Sequence, residues 1–503
     1  MLPIIKNLAK GSLGKVWKTA CAYSTTTPKE AGELGSLLES SLAGETFGQP
    51  TPMTHPHLLA SGEVVAGIQK DEFSERRNTF IHNILQTESK SNHLVIIPSA
   101  TRVYMSEKIP YVFRQNTDFL YLTGCLEPDC ALVLTASQEN DVMSTLFLRK
   151  KDKRAEKWDG PRTGVEGAVY LFGVDQALPI SELNKFLVTY AKTYNKFTLW
   201  YDFLSCIHPE IHAVIKSFSS SSVKVVESPK PIIHQQRLIK SPAEQKLMAK
   251  TCEIASKAMV NTITATKPGV TEHLLFAKMD FECRANGADF LAYPPVVAAG
   301  NNANIIHYIS NLQKTEAGEM VLMDAGCSLS GYCSDLTRTW PVSGHFTDSQ
   351  RILYEIVLET QQQLISLCHS QYTLDHLFNV MCHILGQKLI EAGVFKNSAD
   401  KNHPSKMAYD LCPHHASHYL GMDVHDTSTV SRTIAMKQGM VITVEPGLYI
   451  ADNDPVVRKE FQGQGIRIED NILITTSDPV VLTGSCPKEA EVVQKLVNSS
   501  YCT

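Results

Sequence analysis

The stretch Cys412-Pro-His-His-Ala-Ser-His-Tyr-Leu-Gly-Met-Asp-Val-His425 places four histidines within fourteen residues. Acidic residues flank it on both sides, each at the end of an apolar run or inside one: Asp324, Asp335, Glu445 and Glu469. A carboxylate in such a position is costly to bury unless it has a partner. One histidine and four such carboxylates form the ligand set of a site for two divalent metal ions. The sequence therefore predicts a metal centre supported by strands on both sides of the histidine cluster.

Length and composition set broad limits. The 503 residues leave room for two or three domains, and the net charge of −5 gives no reason to expect nucleic acid or an anionic membrane as partner. No apolar run approaches the roughly 18–20 residues that span a bilayer, so we expect a soluble protein. The thirteen cysteines include no Cys-x-x-Cys pair, which argues against zinc-ribbon and thioredoxin-type sites and indicates reduced thiols.

The N-terminal segment differs from the rest of the chain. Its first 29 residues hold five lysines and no acid, and apolar residues recur there at helical spacing. This pattern predicts a mitochondrial transit peptide, although no arginine precedes Arg76; a disordered basic tail is the alternative. Residues 30–54 are rich in Gly, Ser, Thr and Pro, so we expect residues 1–54 to be a transit peptide and flexible lead-in.

Alternating apolar and helical patterns predict a small α/β domain over residues 55–235. The predicted strands are His93–Pro98, Ala131–Thr135 and Ser144–Leu148, and the predicted helices are Glu72–Glu88 and Ser181–Tyr194. A second domain is expected over 239–490, beginning with a helix that Ser241 and Glu244 cap reciprocally. Strands dominate residues 294–341 and 440–482. We therefore expect an α/β (α+β) fold with two domains.

The positions of the acidic residues indicate which of them could lie close enough to share a cation. If Val321–Ala325 and Cys333–Thr337 are the arms of a hairpin, Asp324 and Asp335 are cross-strand neighbours able to share a cation. Two adjacent carboxylates repel each other unless one is protonated or a metal neutralises them; two turn-flanking acids in solvent are the alternative. Glu445 and Glu469 form a similar pair of acids, separated by a longer, Gly-rich connection. Four carboxylates balance two divalent ions, and an oxygen-rich shell favours manganese, cobalt, iron(II) or magnesium.

Other histidines and one arginine leave alternatives open. His307 is isolated in sequence and is either structural or functional. The histidines near His418 (His414, His415 and His425) could move protons, contact substrate or orient ligands. Arg467 precedes Glu469 by two residues on the same strand face. It could donate hydrogen bonds to the metal carboxylates or only balance their charge.

Taken in order, these residues resemble the pita-bread metallopeptidases, which include methionine aminopeptidase, prolidase and aminopeptidase P. The likeness covers about residues 55–490, with the metal motifs in 320–470. Within this family the chain is similar to aminopeptidase P, above all to its mitochondrial type 3 form. The strings that carry this likeness are His55–Leu59, Phe119–Gly124, Trp158–Arg162, Leu291–Val296 and Cys412–His415. The chain departs from the family at Gln438-Gly439, where Pro-Gly is frequent.

The resemblance implies the site residues. Those that match metal ligands are Asp324, Asp335, His418, Glu445 and Glu469, and of these Asp335 and Glu469 match the bridging pair. Two divalent ions are implied, Mn²⁺ first, with Co²⁺, Fe²⁺ or Zn²⁺ as alternatives. The residues that match catalytic positions are His307, His425, Glu445 and Arg467. Those that match substrate-binding positions are Tyr293, His307, His414 and His425.

The resemblance also implies the reaction, which is removal of the N-terminal residue from peptides with proline in second position. A metal-bridged hydroxide would attack the scissile carbonyl, and Glu445 would pass a proton to the leaving nitrogen. We expect peptide substrates, neither nucleic acid nor a membrane as partner, a homodimer, and a mitochondrial matrix location with the cytoplasm as a second one.

Two other functions remain as alternatives. Prolidase, which cleaves Xaa-Pro dipeptides, is associated with a longer loop that binds the substrate carboxylate. Only nineteen residues separate His425 from Glu445, which leaves little room for such a loop and disfavours prolidase. Some pita-bread proteins are binding modules without catalysis, and these typically lack metal ligands. All five matching positions are present here, which favours an enzyme.

Overall fold

A computed structural model of the chain describes residues 44–87, 91–137, 141–397, 399 and 401–499. The chain divides into two units between Gln236 and Arg237. The transit peptide predicted for the first residues lies outside the described part. Within that part, no helix has the length and apolar character needed to cross a membrane.

The first unit is built on a six-stranded mixed sheet. Its strands and those of two small hairpins are β1 (Glu63–Val65), β2 (Ile68–Gln69), β3 (Asn92–Pro98), β4 (Tyr104–Ser106), β5 (Ile109–Pro110), β6 (Ala131–Ala136), β7 (Val142–Leu148), β8 (Gln176–Pro179), β9 (Phe197–Trp200) and β10 (Val225–Glu227). The sheet order is β10-β9-β3-β6-β7-β8, and the β3–β6 and β6–β7 pairs are antiparallel. Strand β6 is buried throughout, as its unbroken apolar run requires.

Helices precede, separate and follow the strands of this sheet, and the last of them runs past the boundary at Gln236. They are α1 (Lys70–Thr87), α2 (Thr117–Thr123), α3 (Lys153–Asp159), α4 (Gly164–Phe172), α5 (Leu183–Thr193), α6 (Pro209–Ser222) and α7 (Lys230–Leu238). Each strand and helix that the sequence predicted here forms within two residues of its predicted ends. Apolar residues of α5 and α6, including Leu187 and Ile215, pack with Leu94 and Val133 of the sheet in one core. The predicted α/β character of this part is thereby explained by burial on the sheet.

The end of the predicted lead-in is not flexible. Phe47, Gln49 and Thr51 are each at most 6% exposed. The Gln49 side chain donates to the carbonyl oxygens of Val64 and Gly124 at 3.3 and 3.1 Å. Its amide oxygen accepts a hydrogen bond as well. The expectation of a flexible segment up to residue 54 is therefore wrong for these residues, because their polar groups find partners in the first unit.

The second unit contains the predicted metal centre. Its helices are α8 (Pro242–Thr264), α9 (Glu272–Ala285), α10 (Asp348–Ser366), α11 (Leu374–Glu391), α12 (Pro404–Leu411) and α13 (Ala490–Ser499). Its strands are β11 (Phe290–Leu291), β12 (Val296–Ala299), β13 (Met320–Asp324), β14 (Cys327–Leu329), β15 (Tyr332–Cys333), β16 (Thr337–Pro341), β17 (Val441–Val444), β18 (Gly447–Ile450), β19 (Gln464–Arg467), β20 (Asp470–Leu473) and β21 (Val480–Val481). The capping box predicted at Ser241 and Glu244 forms.

Two long hairpins organise this unit, and each is interrupted in the middle. In the first, β13 pairs with β16 and the chain continues as the β14–β15 pair. In the second, β17 pairs with β20 and the chain continues as the β18–β19 pair. Met320 and Leu322 of β13 enter one core while Val321 and Met323 enter another. Strand β13 is thus buried on both faces, which accounts for its continuous apolar run.

Candidate active site

The first hairpin brings Asp324 and Asp335 together, but not as cross-strand partners. The residue opposite Asp324 is Thr337, and Asp335 lies in the unpaired stretch between β15 and β16. The expected register is therefore wrong, because the hairpin is interrupted. The two carboxylates nevertheless meet at one group, since the Tyr293 hydroxyl oxygen lies 2.5 Å from Asp324 Oδ1 and also contacts Asp335 Oδ1. Gly326 allows this approach, because a Cβ there would lie 1.8 Å from the Ser334 carbonyl oxygen.

A side chain of the second hairpin replaces the strand partner that Asp335 lacks. The backbone N–H of Asp335 donates to Asn471 Oδ1 at 3.0 Å. Asn471 Nδ2 in turn donates to the carbonyl oxygen of Asp335. Asn471 is fully buried. The peptide of Asp335 is therefore fixed although it belongs to neither β15 nor β16.

The second hairpin supplies two glutamates at its own interruption. Glu445 follows β17, and Glu469 precedes β20. Glu469 is 1% exposed, and the Thr337 hydroxyl donates to its Oε2 at 2.6 Å. Its other carboxylate oxygen, Oε1, is buried and has no hydrogen-bond partner. An unpaired buried carboxylate oxygen costs several kcal/mol, on the order of 1–3, unless a cation compensates it.

His418 is oriented by its own loop. Its backbone N–H donates to Thr443 Oγ1 at 3.1 Å, and its Nδ1 donates to the Tyr419 carbonyl oxygen at 3.1 Å. Since Nδ1 carries the proton in that hydrogen bond, Nε2 is the ring nitrogen that faces the carboxylates, and it becomes a metal ligand when it loses its proton. Nε2 lies 3.3 Å from Asp335 Oδ2 and 3.4 Å from Glu445 Oε1. His418 is thus closer to the carboxylates than His414, whose Nδ1 lies 4.0 Å from Glu445 Oε2.

The donor set fits divalent metal ions. Ligand atoms of Asp335, His418 and Glu469 all lie within 4.8 Å of one another. Burial and the neighbouring carboxylates raise the pKa of Glu469 well above its usual value, and burial raises the pKa of Glu445 to about 7. Both shifts arise because several carboxylates lie close together and out of contact with water. A bound cation removes that cost, which is the electrostatic signature of a metal site.

Arg467 connects the carboxylates to a second group of side chains. Its Nη2 donates to Asp324 Oδ2 at 2.8 Å, its Nε to Thr337 Oγ1 at 3.2 Å, and its Nη1 to the Tyr449 hydroxyl at 2.6 Å. The Tyr449 hydroxyl donates onward to His414 Nε2 at 2.8 Å. Burial, aided by the charge of Arg467, lowers the pKa of His414 to about 4, so this imidazole is neutral. Of the two roles left open for Arg467, hydrogen bonding to a carboxylate is the one observed.

The remaining histidines lie around the centre. The His425 ring is 4.5 Å from the His418 ring, and its side chain is exposed. His307, also exposed, lies on the loop between β12 and β13, close enough for its charge to affect the pKa values of His414 and His425. His415 packs against the Phe378 ring at 4.6 Å. All site residues predicted from the sequence therefore occur in this one region of the second unit.

Sequence reasoning missed four residues that hold the predicted ones in place: Thr337, Thr443, Tyr449 and Asn471. Three of them had a usable signal in the sequence, because each lies two residues from a predicted acid, a spacing that in an extended segment directs both side chains to the same side. Tyr449 had no such signal, since its neighbour in space, His414, is 35 residues away in sequence.

This fold and this site define a class of protein. Residues 246–476 match metallopeptidase family M24, and residues 73–200 match the N-terminal domain of aminopeptidase P. The chain belongs to this metallopeptidase family.

Individual relatives agree. The chain is 44% identical to Xaa-Pro aminopeptidase 3 from Rattus norvegicus, over 90% of both chains. It is 39% identical to the mitochondrial intermediate cleaving peptidase 55 from Arabidopsis thaliana, over 90% of this chain and 88% of the relative. Among solved structures, zinc-substituted Escherichia coli aminopeptidase P in complex with product superposes with a TM-score of 0.79 at 33% identity, over 86% and 99% of the two chains. The predicted family, fold class and enzyme class are confirmed, and the chain is a metal-dependent aminopeptidase.

Proposed function

We propose that this chain removes the N-terminal residue from peptides that carry proline in second position. The observation that carries the proposal is the convergence of one histidine and four carboxylates on a buried centre, with Glu469 Oε1 left unpaired there. The similarity to enzymes named Xaa-Pro aminopeptidase supplies the substrate class. Proline has a rigid ring and no backbone N–H, so an apolar pocket admits it without leaving a donor unpaired.

Five residues are proposed to hold two divalent ions: Asp324, Asp335, His418, Glu445 and Glu469. Asp335 has contacts on two sides, since it shares the Tyr293 hydroxyl with Asp324 and lies 3.3 Å from His418 Nε2. Glu469 faces the same point with an unpaired oxygen. These placements support Asp335 and Glu469 as the bridging pair. The oxygen-rich donor set favours Mn²⁺, with Co²⁺, Fe²⁺ and Zn²⁺ as alternatives.

When bound, a pair of divalent ions supplies an activated water and polarises the scissile carbonyl. Glu445 Oε1 lies 3.4 Å from His418 Nε2 in the buried centre, and its carboxylate accepts a proton and returns it to the prolyl nitrogen as the bond breaks. His307 and His425 are exposed beside the centre and donate hydrogen bonds to the carbonyl oxygen as negative charge develops there.

The remaining site residues bind and orient. Neutral His414 borders the peptide through its ring, because Nδ1 donates to the His415 carbonyl oxygen at 2.9 Å and Nε2 accepts from the Tyr449 hydroxyl. Arg467 holds Asp324 and, through Tyr449, fixes the ring of His414. Tyr293 borders the substrate pocket, and its hydroxyl sets the angle between two of the ligand carboxylates.

The cellular setting is proposed on separate grounds. The lysine-bearing, acid-free N-terminus and the name of the Arabidopsis thaliana relative support import into the mitochondrial matrix. The resemblance to aminopeptidase P supports a homodimer, and the sequence pattern supports a domain boundary between residues 235 and 239, with the first domain beginning before the buried Phe47.

The test is a metal-supplemented assay of purified protein on three substrates: an Xaa-Pro-Xaa tripeptide, the corresponding Xaa-Pro dipeptide, and an Xaa-Ala-Xaa tripeptide. Release of the first residue from the proline tripeptide alone, abolished by a chelator, is the expected result. Cleavage of the dipeptide alone would identify a prolidase. Binding without cleavage of any of the three would identify a non-catalytic protein.

A further inference from the structure

The Glu272 side chain is fully buried at the first residue of helix α9, with four hydrogen-bond donors around it. Its Oε1 accepts from the Ala299 backbone N–H at 2.8 Å and from Asn302 Nδ2 at 3.0 Å. Its Oε2 accepts from the Tyr308 hydroxyl at 2.9 Å and from the Gln313 backbone N–H at 2.8 Å. Both carboxylate oxygens are therefore saturated by protein donors.

All four donors belong to one segment, residues 299–313, which begins at the last residue of β12 and continues into the connection to β13. One donor lies at each end of the segment and two lie between them. The backbone N–H of Glu272 also donates to the Gln313 carbonyl oxygen at 2.9 Å. The segment carries His307, and its neighbour Tyr308 is one of the four donors. A single side chain outside the segment thus sets the path of the chain on both sides of His307.

The four donors require a carboxylate at position 272. An ionised carboxylate offers about four acceptor sites and no donor, whereas an amide has a single acceptor oxygen. A glutamine at this position would direct its NH₂ group at two donors, and at least two buried hydrogen bonds would be lost. The segment would then shift, although the side-chain volume hardly changes.

We propose that Glu272 is a positioning residue for catalysis, which acts by holding the 299–313 segment so that His307 faces the metal centre. The inference rests on the proposed role of His307. Glu272 touches neither the five ligand residues nor the place of the substrate in any described contact. Its effect on the reaction therefore passes through the segment.

A double-mutant cycle tests this path. Glu272→Gln should lower kcat by about 10- to 100-fold, because a displacement near 1 Å of a catalytic group has that consequence. Metal content and KM should stay at their wild-type values. In a His307→Ala background, the same substitution should have no further effect on kcat, whereas in a His425→Ala background it should retain its full effect.

Glu282→Gln is the matched control. Glu282 is a second largely buried carboxylate of helix α9, but its partners are Lys278 and Asn261 rather than the segment. This control should leave kcat unchanged. Tyr308→Phe removes a single donor to Glu272 and gives a milder variant for the same cycle should Glu272→Gln fail to fold. Hydrogen exchange of residues 299–313 should be faster in both segment variants.

The outcomes separate the inference from the proposed function. Equal losses of kcat from Glu272→Gln in the wild-type and His307→Ala backgrounds would overturn the inference alone, as would a normal kcat in Glu272→Gln. A normal kcat in His307→Ala would remove the proposed role of His307 and the inference with it. Cleavage of no proline peptide by the wild-type enzyme would reject the proposed function itself.

Discussion

The hydroxyl of Thr337 donates to Glu469 Oε2 at 2.6 Å, and the backbone N–H of Glu469 donates to the Thr337 carbonyl oxygen at 3.1 Å. Thr337 begins β16 of the first hairpin, whereas Glu469 lies at the interruption of the second. Because Thr337 also lies opposite Asp324, one threonine fixes proposed metal ligands from both hairpins. The distance between the two halves of the site is therefore set by this pair.

Thr337→Val should weaken metal binding. The substitution keeps the shape of the side chain and removes the hydrogen bond that orients Glu469. Loss of a partner that orients a ligand typically costs about 10- to 100-fold in metal affinity. Titration of the chelated protein with Mn²⁺ measures the effect. Thr337→Ser, which retains the hydroxyl, should keep wild-type affinity, and equal affinity of the valine and serine variants would contradict the assignment.

Asp335→Asn should release both ions rather than one. Asp335 lies between Asp324 on one side and His418 on the other, as expected for a bridging carboxylate. Metal analysis of the purified variant gives the number of ions per chain, which should fall from two to below one. Asp280→Asn, on an exposed ion pair with Arg284, serves as control and should retain both. Two tightly held ions in Asp335→Asn would show that the bridge is elsewhere.

His307→Ala should lower kcat by about 100-fold, the usual cost of removing a donor to a developing oxyanion. Metal content should not change, because His307 contacts none of the proposed ligands in the described structure. Steady-state kinetics and metal analysis on the same preparation decide this. His383→Ala, an exposed histidine of α11, is the control. Loss of metal from His307→Ala would instead place this histidine among the ligands.

The chelated protein should lose stability as the pH rises from 6.5 to 9. Burial raises the pKa of Glu445 to about 7, so between pH 4.5 and 7 the folded chain keeps a proton that the unfolded chain has released, and this contribution to the fall ends near pH 7. Burial opposes protonation of His418, but Asp335 and Glu445 still raise its pKa to about 9. The stability that His418 contributes is complete below pH 6.5 and is lost as the pH approaches 9.

Thermal unfolding with a chelator should therefore show Tm falling by roughly 5 °C across this interval. Saturating Mn²⁺ should reduce the fall, because the ions bind the ionised carboxylates and the neutral imidazole. Glu445→Gln should flatten the lower part of the chelated profile. A Tm that rises between pH 6.5 and pH 9 without metal would have the wrong sign for this site.

Removal of the N-terminal leader should leave catalysis intact if the cut precedes Phe47. Phe47, Gln49 and Thr51 are buried in the first unit, so a later cut would remove packed residues. Mass measurement of the mature chain from mitochondria locates the cut. A form truncated at residue 52 should be less stable than one truncated at residue 44. An intact Met1 on the organelle-resident protein would reject the transit peptide.

Regular elements were predictable because their signals are local. The apolar run at Ala131–Ala136 and the capping box at Ser241 each specify an element without reference to the rest of the chain. The lead-in was misjudged because the partners of Gln49 are as far away as Gly124, and a Gly- and Ser-rich composition does not reveal such contacts.

The proposed ligands were visible in sequence because a carboxylate within an apolar run is rare unless it has a task. The geometry of these ligands was not visible in the sequence. The register of Asp324 depends on where the hairpin is interrupted, and the peptide of Asp335 at that interruption is held by Asn471, which is 136 residues away. The anchoring of His307 by Glu272 likewise joins residues that no local pattern connects.

Two glycines bear on how inherited variation in this chain should be interpreted. Any side chain at Gly326 would collide with the Ser334 carbonyl oxygen, and any side chain at Gly465 would lie 2.3 Å from the Ala303 carbonyl oxygen, in the segment that carries His307. Neither glycine has a functional group, yet replacement by alanine would displace an acid in one case and a histidine in the other. A chain carrying either change should lose activity although every reactive side chain is still present in it.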